Sequence, residues 1–215
     1  TIASFCALMH LGIIEENCTC INHTLAGDLN IEVKNGFVMM DMASPSEIAV
    51  MDKEEDIKEL YGIMGAEYDS AKIPLVPRII STGLPDIMMP VSDLTALNAM
   101  EPDMKALSDL SARLSVTGVH AFTLDCEDGV TAHARNFAPL YDIDEEAATG
   151  TSSGAMTYYF YLSGKIGAKD SCRFIQGEKM GRPSAILSEI NAEGENCLIK
   201  VGGSAVILAE GEIHI

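Results

Sequence analysis

The chain has 215 residues, 47% of them hydrophobic and 21% charged, which is enough apolar content to bury a core and too much for a disordered chain. Its net charge of −18 argues against the basic face that a nucleic-acid backbone requires. No apolar run reaches the ~18 residues that cross a bilayer, and the apolar N-terminus has neither the basic flank nor the cleavage site of a leader. A cytoplasmic protein with no nucleic-acid or membrane partner is expected.

The chain opens at Thr1, directly inside a helical apolar pattern, "IASFCALMHLG", that ends at Gly12. A helix wants a capping segment ahead of it, so the start reads as a cut through a longer protein. "CTCINHTLAGDLNIEVKNGFVMMDM" follows as strands, with turns at Gly27-Asp28 and Asn35-Gly36, the latter a strong hairpin signal. Ser44-Pro45-Ser46 breaks the pattern and marks a domain boundary. "DKEEDIKELYGIM" reads as a surface helix and "PRIISTGLPDIMMPV" as a strand pair. "DLTALNAMEPDMKALSDLSARL" gives two helices split at Pro102. "GVHAFTLD" and "VTAHARNFAP" are strands around Glu127-Asp128-Gly129. "GAMTYYFYLSGKI" is again helical, beginning near Ser153, and "CRFIQGEKMGRPSAILSEI" and "CLIKVGGSAVILAEGEIHI" are again strands.

Two of these stretches echo each other. "IASFCALMHLGII" lies over "GAMTYYFYLSGKI" with Gly12 on Gly164, and further on Gly27 falls on Gly181. Each stretch runs helix, glycine, strand, glycine-centred turn, strand. A duplicated α+β unit with strands wrapped around one central helix is expected, and the cleft between such halves is the default ligand site.

The segment "DEEAATGTSSGAM", from Asp144 to Met156, carries the most chemical content. A small-residue loop entering a helix presents unpaired backbone N–H groups and the positive end of the helix dipole, which suit an anion such as a substrate carboxylate. Thr149, Thr151, Ser152 and Ser153 add hydroxyls, and Glu145 and Glu146 bring acids within reach for proton transfer. The plainer reading is an acidic cap on a surface helix. Dinucleotide and Walker phosphate loops are excluded because G-x-G-x-x-G is absent and no Lys follows "GTSSG". A serine hydrolase lacks its G-x-S-x-G.

The remaining candidates are weaker. The six cysteines (Cys6, Cys18, Cys20, Cys126, Cys172, Cys197) form no C-x-x-C pair and read as reduced, packed thiols; Cys18 and Cys20 share a face if they lie on a strand. His10, His23, His120, His133 and His214 show no metal spacing, so neither metal nor cofactor is expected. Arg135 and Arg182 are candidates for bidentate carboxylate binding or for structural ion pairs, and His133 alternates with Arg135 along one strand face. Gly202-Gly203 serves either a close backbone approach or a turn. Tyr158, Tyr159 and Tyr161 read as core.

Together the segments resemble the phenazine-biosynthesis PhzF-like isomerases. "RNFAPLYDIDEEAATGTSSGAM" resembles their R-x-F-x-P-x-x-G-I-x-E-D-P-A-T-G-S signature, "FIQGEKMGRPSAI" their Q-G-x-x-M-G-R-P-S, "ISTGLPDIMMPV" their S-T-G-x-x-x-x-x-V-P, and "VGGSAVILAEGEI" their closing segment. The resemblance implies the diaminopimelate epimerase-like fold, α+β, with two pseudo-symmetric halves, the first incomplete here. It also implies that Thr1 is the Thr of a C-G-H-A-T motif, and that the family's Gly-His pair and catalytic glutamate precede it. The family's Asp, Pro and Ser fall on Glu146, Ala147 and Thr151, and Asp142 stands where the signature has Gly. Glu146 keeps a carboxyl but displaces it by one methylene. No Cys stands in the loop, which argues against a two-thiol racemase.

The expected organisation is a partial N-terminal half over residues 1–44, a complete half over 45–206, and a segment over 207–215 returning to the first. The expected activity is cofactor-independent proton transfer on a small anionic metabolite. Glu146 and Thr151 are the acid–base groups, and Thr1, Thr149, Gly150 and Ser152 bind substrate. The alternative is a non-catalytic module of the same family that binds a small acid or a protein. The apolar run Ile2–Ile14 needs cover on every side, from the family's N-terminal segment as a separate fragment, a second copy of the chain or a rearranged first half; a homodimer is expected.

Overall fold

The computed structural model describes residues 1–24, 27–194 and 196–212; His214 lies outside them. The chain divides into two compact units, one made of Thr1–Asp41 and the residues from Gly202 on, the other of Met42–Val201.

In the first unit, helix α1 (Ile2–His10) precedes an antiparallel meander of β1 (Cys18–Thr24), β2 (Gly27–Lys34) and β3 (Phe37–Asp41). Asn35 and Gly36 turn the second hairpin with φ of 52° and 78°, the left-handed pair that a two-residue turn needs to match strand twist. Alternation sets the buried face. Ile31, Val33 and Val38 form its core with Cys6 of α1, and Phe5, Met9, Cys18 and Cys20 pack against them. Cys18 and Cys20 do share a face, Sγ to Sγ 3.7 Å, and all six cysteines are free. Gly202 lies so close to Val38 of β3 that an added Cβ would overlap its carbonyl oxygen, so close approach is the role of that glycine. The strand reading of the closing segment stops at Gly203: residues 204–212 have neither helix nor strand, and His10 Nε2 meets Glu210 there at 3.3 Å.

The second unit contains β4 (Ser46–Val50), α2 (Glu54–Ile63), β5 (Arg78–Ser81), β6 (Pro85–Pro90), α3 (Leu94–Ala99), α4 (Met104–Leu114), β7 (Val119–Thr123), β8 (Ala132–Ala138), β9 (Ile143–Glu146), α5 (Gly150–Leu162), β10 (Ser171–Gln176), β11 (Ser184–Glu193) and, up to Val201, β12 (Asn196–Gly203). Its strands run in the order β12-β11-β10-β8-β7-β6-β5-β4, with β9 added to β8. The β6–β7 and β8–β10 pairs are parallel, and β4–β5, β5–β6, β7–β8, β8–β9 and β10–β11 are antiparallel. Helix α5 touches β5, β6 and β11. In a flat sheet β5 and β11 would be ~24 Å apart at ~4.8 Å per strand, more than a helix ~10 Å across can bridge. The sheet therefore curls around α5.

Both faces of the central strands are covered, and β7 and β8 are buried at every residue. Ile79, Ile87, Met89, Val119, Ala121 and Phe137 face outward into a core with α2, α3 and α4. On the inner side Phe122 and Phe174 meet Phe160 of α5 edge-on, with ring centroids 5.1 and 6.0 Å apart. Asp93 and Asp103 cap α3 and α4 by accepting the amides of Ala96 and Ala106. α2 is more embedded than a surface helix, with Ile57, Leu60 and Tyr61 buried. Asp142 takes φ 61°, a left-handed conformation that glycine adopts freely and aspartate tolerates.

The duplication is visible at the helix ends. In α1 the amides of Leu11, Gly12 and Ile13 donate to Ala7, Met9 and Leu8. In α5 those of Ser163, Gly164 and Lys165 donate to Tyr159, Tyr161 and Phe160, an identical spacing. Gly12 and Gly164 have φ of 67° and 65°. Each helix then leads into a hairpin, β1–β2 or β10–β11.

These features give contrasting costs for two glycines. Gly164→Ala strains a left-handed residue with open space around it and should cost about 1–2 kcal/mol. Gly118→Ala drives a Cβ into the Phe137 carbonyl oxygen between β7 and β8 and should cost about 3 kcal/mol or more. Urea unfolding of both variants checks the order.

Candidate active site

The loop between β9 and α5 is built by alternation and by one glutamine. Strand β9 continues along the edge of β8 beyond β10, with Asn136 opposite Glu146 and Ala134 opposite Gln176. Successive side chains of β9 point to opposite faces. Glu145 meets Arg135 in a bidentate pair, both N···O distances 2.9 Å. Arg135 also donates to the carbonyls of Leu97 and Met100 and lies over the Phe137 ring at 4.8 Å. Arg135 is thus a structural ion pair, and Glu145 is committed to it. Glu146 turns the other way, toward the start of α5.

Gln176 fixes that start. Its Oε1 accepts the Thr149 amide at 3.1 Å, and its Nε2 donates to the Glu146 carbonyl at 2.6 Å and to Thr149 Oγ1 at 3.0 Å. Because Thr149 Oγ1 already accepts from Gln176, its hydroxyl proton points to Glu146 Oε2, 2.5 Å away. One carboxylate oxygen is therefore held and the group is oriented. Gly177 must be glycine, with φ 84° and an added Cβ 2.8 Å from the Ala147 carbonyl oxygen. Thr149 is the N-cap residue of α5, which starts at Gly150, three residues earlier than the pattern predicts. The amides of Gly150, Thr151 and Ser152 have no partner within the helix, as in any first turn.

Glu146, Thr149, Gly150 and Thr151 are gathered at this corner. Glu146, Gly150 and Thr151 are half-buried, and Thr149 is 9% exposed. Thr82 Oγ1 holds the Thr151 carbonyl at 2.8 Å. Ser152, read from the sequence as substrate-binding, is instead fully buried and donates its hydroxyl to Asp86 Oδ2. Helical rotation turns it from the loop into the sheet. Thr1 belongs to the first unit, as the exposed N-cap residue of α1. Arg182 is exposed, and Cys126 and Cys172 make their contacts elsewhere, Cys126 with Val130 and Cys172 within β10. The acidic-cap reading fails, because the acids form a strand and α5 is buried along most of its length. Tyr159 is core, whereas Tyr158 and Tyr161 are half-buried.

Sequence reasoning missed Gln176, Thr82 and Asp86. Asp86 had a signal: a lone acid in the apolar run "LPDIMMPV". It is 2% exposed, and burial pushes its carboxyl up to about 6; the hydrogen bond from Ser152 and the nearby Gly118 backbone, which lies outside hydrogen-bonding geometry, oppose the rise, and nearby Glu146 adds to it. His120, fully buried with Nδ1 2.9 Å from Asn136 Oδ1, is lowered by burial to about 4 and stays neutral. Two depressions of this unit, lined by Tyr158, Asn191 and Cys197 and by Tyr61, Glu67 and Tyr68, do not include the loop. No cluster of three or more metal-ligating side chains occurs among the described residues. No described helix is long and apolar enough to cross a membrane.

Gln176→Leu leaves the Thr149 amide and the Glu146 carbonyl without their partner and should cost about 2 kcal/mol or more. Amide exchange at Thr149 should accelerate. His133, next to Arg135 in alternation, gives a pH signature. Its ring is buried between Glu178, Nδ1 to Oε2 2.5 Å, and Glu127, Nε2 to Oε2 3.0 Å. Burial alone would lower its pKa, but the two carboxylates outweigh burial and raise it. Protonated His133 thus favours the folded state. This stability is fully present below about pH 6.5, the unfolded value, and is lost as pH rises through the raised folded value. The stability difference between wild type and His133→Gln should shrink from pH 6 to pH 9 in urea titrations.

The relatives of this chain agree with the geometry. The family described as phenazine biosynthesis-like protein matches residues 1–211. An uncharacterized isomerase of Clostridium acetobutylicum is 31% identical over 142 residues, 63% of this chain and 47% of that protein. The trans-2,3-dihydro-3-hydroxyanthranilate isomerase of Pseudomonas fluorescens is 28% identical over 211 residues, 94% of this chain and 70% of that protein. The crystal structure of a Bacillus anthracis phenazine biosynthesis protein of the PhzF family superimposes with a TM-score of 0.85 at 23% identity, covering 100% of this chain and 74% of that one. The match spans less than half the length of the first two curated relatives, at 47% and 43%. With its α+β architecture and helix-in-curled-sheet unit, the chain belongs to the phenazine biosynthesis-like, or PhzC-PhzF, family.

Proposed function

We propose that the protein moves a proton between carbons of a small, carboxylate-bearing metabolite, using its own side chains and no cofactor. The observation that carries this reading is the Gln176–Thr149–Glu146 relay, which holds one oxygen of the Glu146 carboxyl and leaves the other for substrate. A substrate carboxylate would be received by the main-chain amides of Gly150 and Thr151 at the N-terminus of α5, where the helix dipole favours negative charge. Glu146 would then take a proton from one carbon or return it to another, with the Thr151 hydroxyl as hydrogen-bond donor. The same reading has the protein acting in the cytoplasm as a homodimer, which sedimentation tests.

A second reading, a non-catalytic module that binds a small acid or a protein, is favoured by one feature. Glu146 stands where the family signature has Asp, and the extra methylene displaces the acid by more than about 1 Å, a costly shift for proton transfer.

Incubation with trans-2,3-dihydro-3-hydroxyanthranilate in D2O, followed by NMR, separates the two. Deuterium wash-in at a ring carbon, slowed at least ~100-fold in Glu146→Gln, is expected. A thermal shift without exchange would establish the binding module. Exchange undiminished in Glu146→Gln would overturn the assignment of Glu146.

A further inference from the structure

Asp86 is an acid that the fold does not need. It faces inward from β6 beneath the first turn of α5 and is 2% exposed. Its Oδ2 accepts the hydroxyl of Ser152, the third residue of the helix, while its Oδ1 is buried with no partner. No ion pair reaches it among the described residues. Arg78 on neighbouring β5 is held by Glu47 and lies over the Tyr159 ring, 5.7 Å from its centroid. On β7, His120 is neutral, bonded to Asn136, and its Nε2 is another buried atom without a partner. α5 carries no charged side chain. Among the described residues, the further charged group that acts on it is Glu146 of β9, itself an acid. A buried carboxylate with half its acceptor capacity unfilled and a second acid nearby is expensive, and such groups cluster at sites where protonation matters.

The first turn of α5 can stabilise one negative charge well. With the loop empty, ionised Asp86 takes that role through Ser152. When an anion settles on the amides of Gly150 and Thr151, two negative charges share one helix end, and the buried one is the costlier to keep. We propose that Asp86 makes anion binding at this loop proton-linked: a small anion binds together with one proton, which passes from bulk water to the Asp86 carboxylate and leaves a neutral carboxylic acid. The proposal rests on the anion-binding part of the function proposed above. It identifies Asp86 as a positioning residue that lets the site accept an anion without a net gain of buried charge. Its carboxyl ionises at about 6 when no anion is bound, and the bound anion must raise it by roughly two units or more for uptake to be complete at pH 7.

Calorimetric titration with benzoate, in two buffers of different ionisation enthalpy at pH 7, tests it. Wild type should take up close to one proton per benzoate bound, and its affinity should fall about tenfold per pH unit above neutrality. Asp86→Asn should take up none, with affinity constant within about twofold from pH 6 to 8. Ser152→Ala removes a hydrogen bond that favours ionised Asp86, so it should keep the uptake and move the affinity profile to higher pH; this variant serves if Asp86→Asn does not fold. Urea unfolding reads the titration of Asp86 without any ligand. An acid raised in the folded state stabilises it below the unfolded pKa and loses that contribution as pH rises through about 6. The midpoint of Asp86→Asn should therefore gain on wild type between pH 4 and 7. Benzoate binding without proton uptake, or uptake abolished by Glu146→Gln and kept in Asp86→Asn, would overturn the proposal. If the unfolding difference appears as expected but neither protein binds benzoate from pH 5 to 8, the anion site itself is refuted, and the linkage with it.

Discussion

Helix α5 must lie inside a curled sheet with most of its residues out of water, and the second unit follows from that constraint. A helix with apolar and small residues all round has no wet face. Its polar side chains must then find partners within the protein. Ser153 and Thr157 bond back to the carbonyls one turn earlier, Thr157 also reaches Ser188, and Ser152 reaches Asp86. The small residues of "GTSSGA" let the surrounding strands approach: a Cβ on Gly154 would sit 3.0 Å from Thr82 Oγ1 and 3.2 Å from Val201. Further along, Tyr159 and Phe160 fill the wider space against Phe122 and Phe174. The helix is narrow at its start, where the strands close in, and bulky where the core is hydrophobic.

The site is a by-product of how the sheet closes on that narrow end. Strand β10 leaves the edge of β8 at Gln176, and β9 takes the same edge two residues further on. This handover puts the Gln176 side chain beside the β9–α5 loop, where its three polar contacts set the loop conformation. The period-2 alternation of β9 then divides two adjacent acids between two environments. Glu145 joins Arg135 and the carbonyls of Leu97 and Met100 on the outer side, while Glu146 faces the helix end. Adjacent carboxyls thereby acquire different chemistry: one is locked in a buried pair, and the other is oriented by a single hydroxyl with an oxygen to spare.

Buried polar groups accumulate around this corner at a cost to stability. Asp86, His120, Asn136 and Gln176 are all enclosed, and the unpartnered atoms Asp86 Oδ1 and His120 Nε2 lie on the inward faces of neighbouring strands, with Met88 of β6 opposite His120 of β7. An apolar interior would fold as well or better. Chains keep such groups where ionisation or orientation is used, the setting we propose for Glu146.

Much of the fold was written in local sequence. The Asn35-Gly36 hairpin, the break at Pro102 and the helix ends at Gly12 and Gly164 depend on backbone preferences that single residues carry, so pattern alone located them. The repeated helix–glycine–hairpin order, together with the family segments, indicated the duplicated α+β architecture. Strands β4 and β9 were not legible. "SEIAV" is a short edge strand, and "IDEE" looks like a cap until β8 offers it a free edge, since pairing depends on a partner remote in sequence. The loop from Glu146 to Thr151 stood out in the sequence as a candidate site because small residues and acids before a helix suit an anion. Alternation along β9 decided that Glu146, not Glu145, turns toward the loop, and the rotation of the helix turned Ser152 to Asp86. Gln176 and Asp86 are silent in one dimension: both act through side-chain contacts across 27 and 66 residues, which only the closing of the sheet around α5 brings within hydrogen-bonding distance.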